Sequence, residues 1–374
     1  MSSLLYSSFL GTVQQLTGFV LSPLTTGPLL LAASKFPEQT REAISNVATH
    51  LPEAAINALT LPWDIDSPTV LTALRVLLAV GIVRKVNQTL STMSHNSWRL
   101  SAAKGWNWPT EVVVITGGSS GIGKDIVVRL LNDLGVKGVA IMDIQEPPAD
   151  LRNDRRVKFY KCDITSSEAV AEAANKIRAD FGQDPSILIN NAGVARPAPI
   201  LETDEKFLRT IMGVNLMSHW FTTQNFLPAM VKKNKGHIIT VASVASFVAL
   251  PTAADYAATK AGALAFHETL STEMSHIYKA PEVLTTVVHP NFVRTPLVAG
   301  FQGQLESAGV KLMTSDRIAD RVVAQIKSRR GGQVIIPDTD GIVSGLRGWP
   351  SWLQQLIRDV LAKGAAQPQP KKDV

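Results

Sequence analysis

Residues 111–123 read EVVVITGGSSGIG, and the rest of the chain is arranged around them. Val112, Val113, Val114 and Ile115 form an apolar run of strand length, followed by a loop of small residues and a helix opening at Ile122 and Gly123. Gly117 permits a sharp turn off the strand, Gly121 lets backbone approach a ligand, and Gly123 allows tight helix-on-sheet packing. A helix N-terminus presents unpaired N–H groups and a partial positive charge, so this loop suits an anion such as a pyrophosphate. Alone, the stretch is described equally well as a glycine-rich turn. The chain beyond decides between the two.

From Glu111 to about Pro337 strands alternate with helices. Apolar runs at Val139–Met142, Val157–Tyr160, Ile187–Ile189, His237–Val241, Leu284–Val288 and Val334–Ile336 supply six further strands. Helical patterns fall at 121–134, 166–181, 204–232 and 256–278. The serial pattern predicts an α/β fold with a doubly wound parallel sheet. It occupies one domain over residues 105–340, with an N-terminal extension over 1–104 and a helix and tail over 341–374.

Composition narrows the function classes. The 374 residues are 45% hydrophobic and 18% charged, enough for a large core. The formal charge of +6 is spread along the chain rather than gathered in a run interleaved with aromatics, so no nucleic-acid partner is expected. A single cysteine, Cys162, excludes an internal disulfide and a cysteine-based zinc site and predicts a reducing compartment. The seven histidines contain no H-x-x-x-H pair, and no metal is expected.

The two extensions are apolar without carrying chemistry. No basic residue precedes Lys35, so the charged start of a secretory signal is missing. Residues 18–33 are apolar but interrupted by Pro23 and Pro28, which a spanning helix tolerates poorly. VLTALRVLLAVGIV, residues 70–83, makes a helix of roughly 21 Å against a hydrocarbon core of about 30 Å, and it carries Arg75. A helix in the membrane interface and a helix packed on the body are both open readings. Near the C-terminus Trp349, Trp352, Leu353, Leu356, Ile357, Val360 and Leu361 share one helical face. That face suits a membrane interface, and docking on the domain or across a dimer suits it equally. The final AAQPQPKKDV reads as disordered.

Several residues carry chemistry. The second strand ends at Asp143, 143 − 123 = 20 residues past the last glycine, where a carboxylate accepts from ribose hydroxyls and repels a 2′-phosphate. This favours NAD over NADP, with Lys124 and Arg152 as counter-arguments. Asp163 sits where a short acid meets an adenine edge or caps a helix. The fourth strand runs into Asn190-Asn191-Ala192-Gly193, a crevice sequence or a polar turn. The fifth ends at Ser243; Tyr256 follows 256 − 243 = 13 residues later, and Lys260 lies one turn beyond on the same face. A tyrosine of pKa about 10 must drop by roughly 3 units, about 4 kcal/mol, to act as a base near neutrality. An adjacent ammonium favours the phenolate, and Ser243 places a donor where oxyanion charge grows.

TGGSSGIG, NNAG and the Ser243/Tyr256-x-x-x-Lys260 set, in this order within a serial βα pattern, resemble the short-chain dehydrogenase/reductase family over about residues 110–337. HPNFVRT, the apolar N-terminus and the tryptophan-bearing tail are similar to its membrane-associated retinol and hydroxysteroid dehydrogenase branch. The resemblance implies a Rossmann-type fold and an NAD(P)-dependent oxidoreductase interconverting an alcohol and a carbonyl. Tyr256 is then the acid/base, Ser243 the substrate-oxygen donor, Lys260 the group holding the nicotinamide ribose, and Asn215 the end of a proton relay. Gly117, Ser119, Gly121, Ile122, Gly123, Asp143, Asp163, Asn191, Val293 and Thr295 become cofactor contacts, together with Tyr256 and Lys260. Asn291 departs from the glycine usual after the proline. A lipophilic substrate such as a steroid, retinoid or polyketide-like molecule is implied, and a membrane surface and a second copy of the chain are candidate partners. The implied location is the endoplasmic reticulum membrane or a lipid droplet with the domain facing the cytosol, the cytoplasm being the alternative. The other class of function is a nucleotide-bound scaffold or sensor without turnover.

Leu297, Val298 and Phe301, among glycines after Thr295, read as a mobile lid over an apolar substrate. Phe247, Val248, Leu250 and Phe292 are the other expected walls.

Overall fold

The computed structural model describes residues 20–48 and 65–365. The chain divides into two compact units, Met1–Ser91 and Thr92–Val374.

The first unit is helical, with α1 at Pro23–Lys35, α2 at Pro37–Ala48 and most of α3, Pro68–Ser94. Pro23 stands at the first position of α1, where its missing N–H costs nothing, while Pro28 lies inside the helix and is accommodated. Residues 18 and 19 of the expected apolar stretch lie outside the described residues. The run at residues 70–83 continues as helix through Arg84, Lys85 and Gln88, so α3 is about 40 Å long but apolar over only half of that. Among the described residues no helix is long and apolar enough to cross a membrane.

The second unit starts earlier than the expected 105. Asn96 exchanges two hydrogen bonds with the backbone of Gly331, at 2.9 and 3.3 Å, and Arg99 donates to the carbonyl of Pro281 at 2.6 Å. Residues 92–104 are thus tied to the far end of the sheet by polar side chains with no periodicity to read.

In order, this unit runs β1 Val112–Thr116, α4 Gly121–Arg129, β2 Gly138–Asp143, β3 Val157–Lys161, α5 Ser167–Phe181 and β4 Ile187–Asn190. It continues with α6 Glu205–Met212, α7 Ser218–Lys233, β5 Gly236–Val241, α8 Ala254–His276 and β6 Val283–Pro290. The last elements are α9 Gln302–Ser307, α10 Ser315–Lys327, β7 Gly332–Ile336 and α11 Ser351–Ala365. The seven strands form one sheet of order 3-2-1-4-5-6-7, every pair parallel. Strands buried on both faces are apolar throughout, which is why the runs are readable. One face packs Ile126 and Val127 of α4, Leu130 just beyond it, and Ile318, Val322 and Ile326 of α10 against Val113, Ile115 and Ile239. The other packs Ile177, Phe226, Met230 and Leu270 from α5, α7 and α8 against Val114, Met142 and Ile238. Helix α10 is not among the expected helices. The 204–232 pattern is one helical path that widens to a looser turn at Gly213–Met217. Residues 366–374, expected to be disordered, lie outside the described residues.

Four histidines sit in this core with their pKa values lowered by burial: His219, His237 and His267 to about 3, His289 to about 4. In the unfolded chain they titrate near 6.5, so below that pH the unfolded state takes up more protons than the native one. Stability is full above pH 6.5 and falls with acidification at about 1.4 kcal/mol per pH unit for each histidine until its folded pKa is reached. Urea midpoints measured from pH 8 to 4 should therefore drop steeply below pH 6.5; a flat series would contradict this account.

Candidate active site

The order of the sheet reverses at β1, between β2 and β4, and the crevice at the C-terminal ends of these strands is where open α/β sheets hold ligands. The loop after β1 is built for close approach. Gly121 has φ +51°, and a Cβ on Gly123 would stand 2.1 Å from the carbonyl oxygen of Gly117. Asn191 does not aim its amide into the crevice: Nδ2 donates to the carbonyls of Thr116 and Gly117, both at 3.0 Å. The Thr116 hydroxyl accepts in turn from the N–H groups of Asn191 and Ala192 at 3.1 Å. Asn191 is therefore a splint that fixes the glycine loop to β4.

Asp143, ending β2, accepts from the Ser119 N–H at 3.0 Å and from the Gln145 N–H at 3.1 Å. The Ser119 hydroxyl donates to the Gln145 carbonyl at 2.7 Å, so this serine, nearly buried, braces the loop against the end of β2. Asp163 accepts from the N–H and hydroxyl of Thr165, at 2.9 and 2.7 Å. The cap of α5 is Ser166, whose hydroxyl accepts from Ala169, and this leaves Asp163 facing the crevice. Gly117, Gly121, Ile122, Asp143, Asp163, Asn191, Val293 and Thr295 all border one continuous cavity; Ser119 and Gly123 support it from behind.

The catalytic candidates converge on the same cavity. Ser243, just past β5, donates to the Pro290 carbonyl at 3.3 Å and accepts from the Ala245 N–H at 3.1 Å. Its own carbonyl accepts from Nδ1 of the buried His289 at 3.0 Å. Tyr256 and Lys260 lie one turn apart on α8, with the ammonium 5.7 Å from the phenol ring centre. Lys260 is buried, 3% exposed, and donates to the Val241 carbonyl at 2.9 Å. Burial lowers its pKa to about 8, so it is a cation at neutral pH. Burial raises the Tyr256 phenol, and a hydrogen bond with Ser243 draws it partly back. The phenol is protonated at neutrality and is a proton donor. Asn215, in the loosened turn before α7, grips both backbone groups of Val194, at 2.8 and 2.9 Å, and donates to Thr259 at 3.3 Å. Thr259 donates to the carbonyl of Tyr256 at 2.8 Å, which ties Asn215 to α8. At Gly193 a Cβ would lie 3.6 Å from Asn215 Oδ1 and 3.8 Å from Lys260 Nζ, so the three elements meet there.

The cavity measures about 1350 Å³ and extends from the glycine loop past Tyr256 into an apolar arm. Leu297, Val298, Phe301, Val248, Leu250 and Phe292 line it as expected, but Phe247 does not. The Phe247 ring is buried against His289, centroids 4.5 Å apart, because the turn at Val244–Ser246 points it into the body. The walls missed from sequence come from the C-terminal segment: Val343, Leu346, Trp349, Ile357 and Leu361. Their helical spacing is visible in the sequence; what they cover is not.

A family model described as short chain dehydrogenase matches residues 111–306. Dehydrogenase RED2 of Cochliobolus heterostrophus is 41% identical over 212 residues, 57% of this chain and 78% of that protein. Human estradiol 17-beta-dehydrogenase 11 is 35% identical over 192 residues, 50% of this chain and 63% of that protein. Among solved structures, a short chain dehydrogenase from Burkholderia cenocepacia in complex with NADP superposes with TM-score 0.55 at 28% identity, over 70% of this chain and all of that one. With the parallel sheet, the glycine loop and the Ser243, Tyr256 and Lys260 cluster in place, the chain belongs to the short-chain dehydrogenase family of oxidoreductases.

Proposed function

We propose that this enzyme interconverts an alcohol and a carbonyl on a lipophilic substrate, using a nicotinamide dinucleotide, with Tyr256 as the acid/base. The observation that carries the reading is a buried ammonium, Lys260, beside a protonated phenol at the inner end of an apolar cavity. The residues fit such a cofactor. At Gly121 a Cβ would press on Thr295 at 3.2 Å, so glycine keeps the anion-facing turn open, and α4 presents its N-terminus there. Gly121, Ile122, Asp143, Asp163, Val293 and Thr295 would hold it, and bound there it supplies or takes the hydride.

The chain's own groups do the rest. Ser243 steadies the substrate oxygen with its hydroxyl, where negative charge grows during reduction. Tyr256 gives that oxygen its proton, and in the reverse direction takes it back. Lys260 favours the phenolate left behind. The apolar arm takes the remainder of the substrate, and the relative named for estradiol supports a steroid-sized or similar molecule. Exposed Trp352 and Leu356 on α11 support a seat on a lipid surface, such as the endoplasmic reticulum membrane or a lipid droplet.

Asp143 directs the cofactor choice toward NAD, and Arg152 is engaged by Glu146 at 2.8 Å rather than free for a 2′-phosphate. Consumption of NADH and NADPH should be compared with a panel of lipophilic ketones, for the native protein and for Asp143→Ala. NADH is expected to be preferred, and the substitution should erode that preference by about tenfold, 1.4 kcal/mol. A native preference for NADPH would overturn the cofactor assignment, and no ketone-dependent consumption of either would overturn the function.

A further inference from the structure

Asn291 stands where glycine is usual, and its side chain is fully employed. Its Oδ1 accepts from the Phe292 N–H at 2.8 Å, which fixes the amide orientation, and Nδ2 donates to Asp340 Oδ2 at 2.6 Å. Its own N–H donates to the Ile336 carbonyl at 2.9 Å. Asp340 is the third residue of the turn Asp338–Gly348, which leads into α11, and its other oxygen accepts from Thr339 at 3.3 Å. Both residues border the cavity. Asn291 is one residue beyond Pro290, whose carbonyl holds the Ser243 hydroxyl. One charge-assisted hydrogen bond therefore joins the strand end that carries the catalytic serine's anchor to the root of the C-terminal segment.

That segment is the far wall of the apolar arm. Leu346, Trp349 and Ile357 pack with Val244, Val248 and Val343, and Arg347 donates to the Phe247 carbonyl at 3.3 Å. Leu297, Phe301 and Leu305 line the same cavity. The wall's outward face is exposed, with Trp352 67% and Leu356 52% accessible, so the contacts holding it are concentrated near its root. A wall held this way keeps the width of the arm only while its root is fixed.

We propose that Asn291 and Asp340 are a specificity-determining pair: their hydrogen bond holds the C-terminal segment at the distance from Ser243 and Tyr256 that grips an extended apolar substrate. The pair positions the wall and does not touch the reacting atoms. The inference rests on the lipophilic-substrate reading above.

The swap Asn291→Asp/Asp340→Asn tests it. Asn291→Asp alone sets two carboxyl groups against each other in place of the amide donor and its acceptor. Adding Asp340→Asn restores a donor and an acceptor with their roles exchanged, and the carboxylate introduced by Asn291→Asp can still accept from the Phe292 N–H. Three readouts are compared: trypsin cleavage after the exposed Arg347, binding of the fluorescent probe 11-(dansylamino)undecanoic acid, and the ratio of kcat/KM for 2-dodecanone to that for 2-butanone. In Asn291→Asp, cleavage should accelerate, probe affinity should fall about tenfold, and the long-to-short ratio should fall about tenfold, with the double variant returning all three toward native values. Native-like cleavage and probe binding in a folded Asn291→Asp protein would overturn the proposal, as would failure of the swap to rescue. Cleavage and probe binding need no turnover. If the native protein reduces neither ketone, the functional reading falls while these two measurements still decide the pair.

Discussion

Tyr256→Phe should abolish ketone reduction and alcohol oxidation while leaving the fold and NADH binding intact. The ring is half-buried on α8, and phenylalanine fills the same volume, so packing is conserved. What leaves is one hydroxyl and its hydrogen bond with Ser243, a cost of about 1 kcal/mol in stability. Chemically the loss is larger, because the hydroxyl proposed to give the substrate oxygen its proton is gone. Lys260 is committed to the Val241 carbonyl, and Asn215 to the backbone of Val194. General acid–base catalysis contributes about 10²–10⁴ in rate, so kcat/KM should fall by at least about a hundredfold. Steady-state rates, with NADH fluorescence titration and a thermal melt as controls, check this. A variant that binds NADH and turns over near the native rate would remove Tyr256 from the mechanism.

The sheet is legible in the sequence because parallel strands buried on both faces are apolar without alternation, and small residues mark their ends. The candidate catalytic pair is legible because Tyr256 and Lys260 share a helix face, a local geometry that spacing alone defines. What sequence cannot give are the long-range choices. Helix α10 carries Ile318, Ala319, Val322, Val323 and Ile326 at helical spacing, yet it follows a glycine-containing stretch that reads as lid throughout. Asn191 is in the crevice by backbone position, but its amide is spent on loop carbonyls 75 and 74 residues earlier in the chain. Phe247 is close to Ser243 in sequence and faces the opposite way. The C-terminal helix shows an apolar face without showing that part of it walls the cavity, and the Asn291–Asp340 contact spans 49 residues with no motif to announce it. Each miss concerns which partner a side chain selects across the fold, not which element it belongs to.

Lys260→Met should move the pH profile of alcohol oxidation rather than lower it uniformly. Burial raises the phenol, and the Ser243 hydrogen bond draws it partly back. Proton abstraction from an alcohol needs the phenolate, so a nearby cation must stabilise it. An ammonium 5.7 Å from the ring, in surroundings of effective dielectric about 20, is worth about 3 kcal/mol, or about 2 pKa units. Methionine keeps the length and the apolar stem but not the charge. The rising limb of kcat/KM against pH should therefore shift up by about 2 units, so that oxidation falls about a hundredfold on that limb and is regained as the pH is raised. Lys260 has a pKa of about 8, so the native profile should also bend above that pH as the ammonium deprotonates and its hold on the phenolate lapses. Lys260→Arg retains a cation and should keep more of the native limb than the methionine variant does. A pH-independent loss in Lys260→Met would mean that the lysine serves cofactor binding alone, and NADH titration of the same protein would show it as weakened affinity.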